Sequence, residues 1–245
     1  MKKDSQLYGS RPVLEALKSK QEFEKILLQN GLKSPVVSEI QHLAKEQNIP
    51  VQWVPEEKLN RMTQGNHQGV IATISPIQYQ PLEEIVTRVF EEGETPFLLI
   101  LDRVTDVRNM GAIARTAECA GVHALILPSQ GSAALNDDAI KTSAGALLRL
   151  PICREINLKT TLNYLKQSGI KLFAASEKSS RNYTLADYNE PLAIIMGSEE
   201  NGVSPEYLKM CDARLCIPLA GEIESLNVSV ACGILLFEAV RQRNI

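Results

Sequence analysis

Apolar runs and helical patterns alternate along most of the chain. The second part of the sequence holds five short apolar runs with the length of buried strands, which we predict at 97–101, 122–127, 171–175, 192–196 and 214–217. Between them, apolar residues recur at helical spacing near 109–120, 136–148, 158–168, 204–209 and 227–242. Strands that alternate with helices predict an α/β fold with a parallel sheet covered on both faces.

A smaller α/β unit precedes this region. Helices are predicted at 9–20 and 36–47, and strands at 25–29, 51–54 and 69–74. Polar residues around 76–81 indicate a linker, and a helix at 82–92 follows it. We therefore predict a small domain over 1–75, a linker with a connecting helix over 76–96, and a main domain over 97–245.

Composition narrows the class of protein. The 245 residues are 44% hydrophobic but only 5% aromatic, which predicts a mostly aliphatic core. A net charge of −3 is not typical of a nucleic-acid-binding protein, although a local basic face can lie on an acidic chain. Residues 1–78 carry 10 Lys and Arg against 8 Asp and Glu, whereas 79–245 carry 16 against 21. This asymmetry suggests that an RNA-facing unit lies at the N-terminus.

Several common kinds of site are missing from the sequence. The five cysteines include no C-x-x-C pair and the three histidines have no metal-ligand spacing, so we expect reduced thiols and no metal site. No G-x-G spacing, phosphate-binding loop or nucleophile elbow occurs, which argues against conventional NAD enzymes and common hydrolases. Without a secretory leader or an apolar run long enough to span a bilayer, the chain is expected to be soluble and cytoplasmic.

Two polar loops follow predicted strands and are the best candidates for a ligand site. One covers residues 197–202 and the other residues 218–227, which lead into the last helix. Loops at the carboxyl ends of strands bind ligands in α/β proteins. The second loop is long and poor in turn-forming residues, and such a loop can offer several backbone N–H and C=O groups to a heterocycle.

Each polar side chain near these loops also has an ordinary structural explanation. Asn109 can cap a helix, with Asp106 nearby as another cap. Arg115 lies in a helix of small apolar residues, so it is either a surface charge or a tightly packed functional cation that suits phosphate. Ser225 and Asn227 precede the last helix, and capping alone accounts for either one.

Glu199 is similarly ambiguous. It follows Gly197 and Ser198 at a strand end, where a solvated loop charge is common. Alternatively, its carboxylate accepts hydrogen bonds from a substrate or fixes Arg115.

Taken together, these segments resemble the three motifs of the SpoU (TrmH) RNA ribose methyltransferases. The motifs are Asn109-Met110-Gly111 with Arg115, then residues 196–202, then Ile217-Pro218 through 225–229, and they occur in the family's order. Residues 8–70 resemble the small substrate-binding domain that precedes the catalytic domain in many members. The whole is most similar to the branch that methylates a guanosine of 23S rRNA, the RlmB type.

The resemblance implies a fold and a site that periodicity does not show. Its SPOUT-type catalytic domain carries a C-terminal trefoil knot, binds S-adenosyl-L-methionine there and forms a homodimer whose active site takes residues from both subunits. The resemblance implies two sets of residues at the site. The catalytic set is Arg115, Asn109, Glu199, Ser225 and Asn227, and the cofactor set is Met196, Gly197, Ile217, Leu219, Gly221 and Leu226. One departure is Val107, which stands where many members have proline.

The implied reaction is methyl transfer to a ribose 2′-hydroxyl, which needs no metal. Since a guanidinium keeps its proton near neutral pH, we expect Arg115 to position and polarise rather than to act as the base, with Asn109 and Glu199 fixing it. 23S rRNA is favoured over tRNA, and a non-catalytic RNA-binding assembly protein is the alternative of another class. Six basic residues of the first domain would grip the RNA or form a solvated face. They are Lys2, Lys3, Arg11, Lys18, Lys20 and Arg61.

Overall fold

The protein is described by a computed structural model that covers residues 6–243. Lys2 and Lys3, expected at the RNA, lie outside the described residues. The chain folds as two compact units divided between Gln78 and Tyr79, so the helix of the expected 76–96 linker belongs to the second unit. In the described part of the chain, no helix is long and apolar enough to cross a membrane.

The first unit is a four-stranded sheet with helices on both faces. Its strands are β1 (Gln6–Tyr8), β2 (Phe23–Gln29), β3 (Val51–Val54) and β4 (Val70–Ile74). Its helices are α1 (Ser10–Lys18), α2 (Pro35–Glu46) and α3 (Glu56–Met62). The strand order is β1-β4-β2-β3; β4 is antiparallel to both neighbours, and β2 and β3 are parallel.

Alternation along β2 explains why this sheet is covered twice. Ile26 and Leu28 lie in the larger core with the apolar residues of α1 and α2. Leu27, between them, packs instead with Leu59 of α3. Successive side chains of a strand point to opposite faces, so a run of three apolar residues requires helices on both.

The second unit is built on a six-stranded parallel sheet. Its strands are β5 (Phe97–Leu101), β6 (Ala124–Pro128), β7 (Ile152–Glu155), β8 (Lys171–Ala175), β9 (Leu192–Met196) and β10 (Ala213–Leu215). Its α-helices are α4 (Leu82–Glu91), α5 (Val107–Cys119), α6 (Asp137–Thr142), α7 (Leu158–Gln167), α8 (Pro205–Leu208) and α9 (Val228–Arg243). The strand order is β10-β8-β9-β5-β6-β7, and every neighbouring pair is parallel.

Both faces of this sheet are buried. Leu98 and Ile100 of β5 share a core with α4 and α7. Phe97, Leu99 and Leu101, which alternate with them, are completely buried too. Helix α9 contacts β9 and packs against α5, where a Cβ on Gly233 would lie 3.6 Å from Thr116. The predicted fold class, an α/β parallel sheet preceded by a small α/β domain, is confirmed, and the trefoil knot stays a prediction.

The main departure from the sequence prediction is the helix expected at 136–148. It ends at Thr142 because Ala144 (φ 51°) and Gly145 (φ 85°) are left-handed, and a short 3₁₀ turn, Ala146–Leu148, follows. Among the strands and α-helices, β1, α3 and β7 were not predicted, and neither was a 3₁₀ turn at Tyr183–Leu185. None of these differences changes the elements that carry the candidate site.

Candidate functional site

A cavity of about 250 Å³ opens at the carboxyl ends of β8, β9 and β10. Its position follows the general rule that parallel sheets bind ligands at this edge. The lining residues are 175–177, 196–200 and 224–226, with Gly202, Leu215, Ile217, Leu219, Val228 and Ala231. Both candidate loops therefore meet at one cavity, together with the end of β8.

The charge of this lining is one-sided. Glu177, Glu199, Glu200 and Glu224 line the cavity, and its lining holds no Lys, Arg or His. The rest of the lining is mostly aliphatic or small residues. The cavity thus suits an organic ligand of moderate size that carries positive charge.

The first loop is a tight hairpin. The N–H groups of Ser198 and Gly202 each donate to the other's carbonyl oxygen, at 3.2 and 2.9 Å. Gly197 permits this closure, because a Cβ there would lie 1.9 Å from the carbonyl carbon of Gly202. The hairpin lifts Glu199 to its exposed tip, beside the cavity.

Glu199 is the centre of a hydrogen-bonded cluster with two asparagines. Nδ2 of Asn109 and Nδ2 of Asn227 both donate to its Oε1, each at 2.8 Å. Nδ2 of Asn227 also donates to Oδ1 of Asn109, at 3.0 Å. Since two amides donate to it, Glu199 is held as an acceptor, and its Oε2 has no partner among the described residues.

Helix capping decides which way these amides point. Oδ1 of Asn227 caps α9 by accepting from the N–H of Ser229 at 2.9 Å, so its NH₂ group must face Glu199. At α5 the cap is Asp106, which accepts from the N–H groups of Arg108 and Asn109. The side chain of Asn109 is therefore free to reach the cluster. Asn227 therefore caps α9 and contacts Glu199 at the same time, whereas the sequence suggested that it would do one or the other.

Arg115 is not part of this cluster. It is exposed on α5 in a stripe with Arg108, Ala112 and Cys119, and no described residue forms a hydrogen bond or ion pair with it. The tight packing expected from its small neighbours is absent, because α5 buries a different face. Within one chain, neither Asn109 nor Glu199 forms a hydrogen bond with Arg115 among the described residues, so the expectation that they fix it stays a prediction.

Most of the predicted site residues line the cavity, but not all of them do. Seven of them line the cavity: Met196, Gly197, Glu199, Ile217, Leu219, Ser225 and Leu226. Gly221 lies exposed in the same loop but does not line it. Sequence reasoning missed Glu177 and Glu224. The first follows β8, so the rule for strand ends could have found it, whereas nothing in the sequence distinguishes Glu224 from its neighbour Glu222.

A sequence model described as the SpoU rRNA Methylase family matches residues 96–237, more than half of the chain. The chain belongs to the SpoU methylase family. A second model, described as RNA 2′-O ribose methyltransferase substrate binding, matches residues 6–80 of this SpoU protein.

Relatives and solved structures agree with this membership. The Bacillus subtilis protein YacO, named a TrmH family tRNA/rRNA methyltransferase, is 36% identical over 96% of this chain and 95% of its own. An AdoMet-bound rRNA methyltransferase from Sinorhizobium meliloti is 27% identical, with a TM-score of 0.60 over 96% of this chain and 86% of that one. The A. aeolicus TrmH/SpoU tRNA modifying enzyme is 33% identical, with a TM-score of 0.57 over 66% and 84%.

As a SpoU methylase, the protein is an RNA methyltransferase with S-adenosylmethionine as its cofactor. The cavity fits that cofactor, because acidic side chains suit its sulfonium and ammonium groups, and backbone groups of the two loops suit its adenosine. In the described residues, no group of three His, Cys, Asp or Glu side chains is arranged to hold a metal ion.

Proposed function

We propose that this methyltransferase modifies the ribose 2′-hydroxyl of a guanosine in 23S rRNA. The observation that carries the proposal is the convergence of Asn109, Glu199 and Asn227 beside the cavity. The match of residues 6–80 to a 2′-O ribose methyltransferase substrate-binding domain supports a ribose target. The two-unit chain resembles an rRNA methyltransferase over nearly its whole length, which favours rRNA over tRNA.

Glu199 has the central role in this mechanism. When bound, S-adenosylmethionine supplies an activated methyl group, so the protein has only to present and deprotonate a hydroxyl. The Oε2 atom of Glu199 is the free acceptor that takes the hydrogen bond, and then the proton, of the ribose hydroxyl. Asn109 and Asn227 hold Oε1 so that Oε2 faces the substrate.

Arg115 supplies the complementary positive charge, from the other subunit of a homodimer. Helix α5 packs against α9, where Val230 and Phe237 are each about half exposed and Ile234 lies between them at helical spacing. Exposed apolar residues in such a row are typical of protein interfaces. A second copy placed there would bring Arg115 to an RNA phosphate at its partner's site, where its planar fork binds well.

The first unit would bind the RNA. Arg11, Lys20 and Arg61 are exposed on it, whereas Lys18 forms an ion pair with Glu39 at 3.0 Å. The proposed set of RNA contacts in the described residues is therefore Arg11, Lys20 and Arg61, and their individual loss should weaken RNA binding without changing cofactor affinity.

Methyl transfer to defined RNAs tests the proposed function. Tritiated S-adenosylmethionine is incubated with total rRNA and with tRNA from a strain that lacks this protein, and the 2′-O-methyl site is mapped. Label at a single guanosine of the large-subunit rRNA supports the proposal. Label in tRNA alone moves the protein to the tRNA-modifying branch, and cofactor binding without transfer to naked RNA or to ribosomal precursor particles supports a non-catalytic assembly role.

A further inference from the structure

The base of the Glu199 hairpin rests on a buried carboxylate outside the cavity. Asp102 follows β5 directly and is only 2% exposed. Its Oδ1 accepts from Nε of Arg103 at 2.9 Å, and its Oδ2 accepts from the N–H and the hydroxyl of Ser204 at 2.7 and 2.6 Å. Nη2 of Arg103 also donates to Oδ2, at 3.2 Å. Every partner is a donor, which only a carboxylate satisfies on both oxygens.

Arg103 extends this arrangement to the hairpin itself. Its Nη2 donates to the carbonyl oxygen of Gly202 at 3.2 Å. The backbone of Arg103 is left-handed, with φ at 60°, a conformation that residues other than glycine rarely adopt. Such outliers persist where the surroundings hold them, and they cluster at functional sites. We define Asp102, Arg103 and Ser204 as the clamp.

The clamp determines where the hairpin points. The internal bonds between Ser198 and Gly202 fix the hairpin's shape but not its direction. The clamp ties Gly202 and Ser204 to the end of β5, and the chain from β5 leads directly into α5, which carries Asn109. Asp102 thus connects the base of the Glu199 hairpin to the strand end that leads into the helix of Asn109.

We propose that Asp102 is a positioning residue for methyl transfer, which aligns Glu199 through the clamp without touching cofactor or substrate. The proposal rests on the catalytic role proposed for Glu199. Charge-assisted hydrogen bonds in a buried site are strong and short, so they can hold a loop more tightly than its own backbone bonds do. Replacement of Asp102 should then act on the rate only through Glu199.

A double-mutant cycle tests this dependence. Asp102→Asn, Glu199→Gln and the double variant are compared with the wild type for kcat, RNA KM and cofactor affinity by calorimetry. We expect each single change to lower kcat at least tenfold, and the double variant to be no slower than the slower single variant. Asp102 lies outside the cavity, so Asp102→Asn should keep cofactor affinity within about threefold of the wild type. A residue that only supports the fold would give multiplied losses instead.

Hydrogen exchange supplies a readout that does not depend on activity. Asp102→Asn should speed amide exchange in residues 197–204 and leave β8 unchanged. Ser204→Ala removes only the 2.6 Å hydroxyl bond and should show the same pattern more weakly, even if Asp102→Asn folds poorly. The matched control is Asp212→Asn. The carboxylate of Asp212 also accepts from a backbone N–H, that of Leu172 at 2.8 Å, but at the amino ends of β8 and β10, away from the cavity.

The outcomes separate the two proposals. If Glu199→Gln keeps the wild-type kcat, the catalytic role of Glu199 is wrong and the positioning role falls with it. If Glu199→Gln is slow but the losses multiply, or exchange in 197–204 does not change in Asp102→Asn and Ser204→Ala, only the clamp proposal is overturned. Single losses that do not multiply, together with faster exchange in the hairpin alone, support it.

Discussion

Nδ2 of Asn227 lies 2.8 Å from Oε1 of Glu199, while Oδ1 of the same amide caps helix α9. The two ends of one side chain thus connect the start of a helix to the proposed catalytic carboxylate. The capping half needs only an oxygen, whereas the half that faces Glu199 needs a donor. Mutations can therefore separate the two tasks.

Asn227→Asp should keep the cap and lose the reaction. The new carboxylate still accepts from Ser229 but faces Glu199 with a second negative charge, so we expect kcat to fall by about 10² or more with little change in melting temperature. Steady-state kinetics and thermal melts measure this. The control is Asn157→Asp at the cap of α7, where the oxygen alone is used, and it should be silent in both assays.

Mixed dimers reveal where Arg115 acts. Arg115→Ala and Glu199→Gln should each be nearly inactive as homodimers. If Arg115 serves the other subunit, an equal mixture that has exchanged subunits regains one intact site in each mixed dimer, which gives about a quarter of the wild-type activity. Continued inactivity of verified mixed dimers would place Arg115 in its own subunit's site, whereas an active Arg115→Ala homodimer would place it outside catalysis.

Gly197→Ala should destroy the hairpin. The added carbon has no room beside the backbone of Gly202 and Val203, at 1.9 and 2.1 Å, so the loop must open. We expect cofactor binding to weaken at least about tenfold by calorimetry, together with a lower melting temperature. Gly233→Ala is the control. Its Cβ makes an ordinary contact and a helix favours alanine, so binding should persist and stability should hold or rise.

The acidic lining of the cavity should favour S-adenosylmethionine over its product S-adenosylhomocysteine, whose thioether sulfur carries no charge. Glu177→Gln or Glu224→Gln would lower the affinity for S-adenosylmethionine relative to S-adenosylhomocysteine by about fivefold, and added salt should reduce the effect. Titration calorimetry with both ligands measures the ratio. Glu222→Gln removes an equal charge from the same loop outside the lining. If that change lowers the ratio as much, loop charge in general is responsible.

Acid should weaken the hydrogen bonds that the Glu238 carboxylate accepts near the end of helix α9. Hydrogen bonds from Arg241, at 2.8 and 2.7 Å, and from Gln242 hold the pKa of the Glu238 carboxyl below its ordinary value. A depressed pKa in the folded state means that stability is present above the unfolded value, roughly 4.3, and is lost as the pH falls through the folded one. Urea denaturation should show the wild type's advantage over Glu238→Gln shrinking between about pH 5 and pH 3. A difference that stays constant would contradict this.

Sequence patterns located the central strands well, for a physical reason. The strands at 97–101, 171–175 and 192–196 were predicted with their observed bounds, because each holds an apolar run that ends sharply at a polar residue or glycine. Strand β7 was missed. Only Ile152 and Cys153 are apolar in it, and its place comes from pairing with β6.

The candidate site was only partly predictable. The motifs identified Asn109, Glu199 and Asn227, but their contacts depend on Asp106 taking the α5 cap and on the directions of two helices, which no local pattern encodes. For Arg115, the local sequence suggested a packed side chain that the structure does not show. Small neighbours suggested packing, yet those residues are buried against α6 and α9 on other faces of the helix.

The residues that line the cavity are synthesised late, because they lie in the last third of the chain. All of its lining comes from residues 175–231, and Asn227 is held only when α9 starts. The first unit, by contrast, has its complete sheet once β4 ends at Ile74. A growing polypeptide therefore completes its N-terminal fold long before it can hold a methyl donor. Fragments that end before α9 lack Val228 and Ala231 of the lining and the helix that Asn227 caps, so we expect them not to modify RNA.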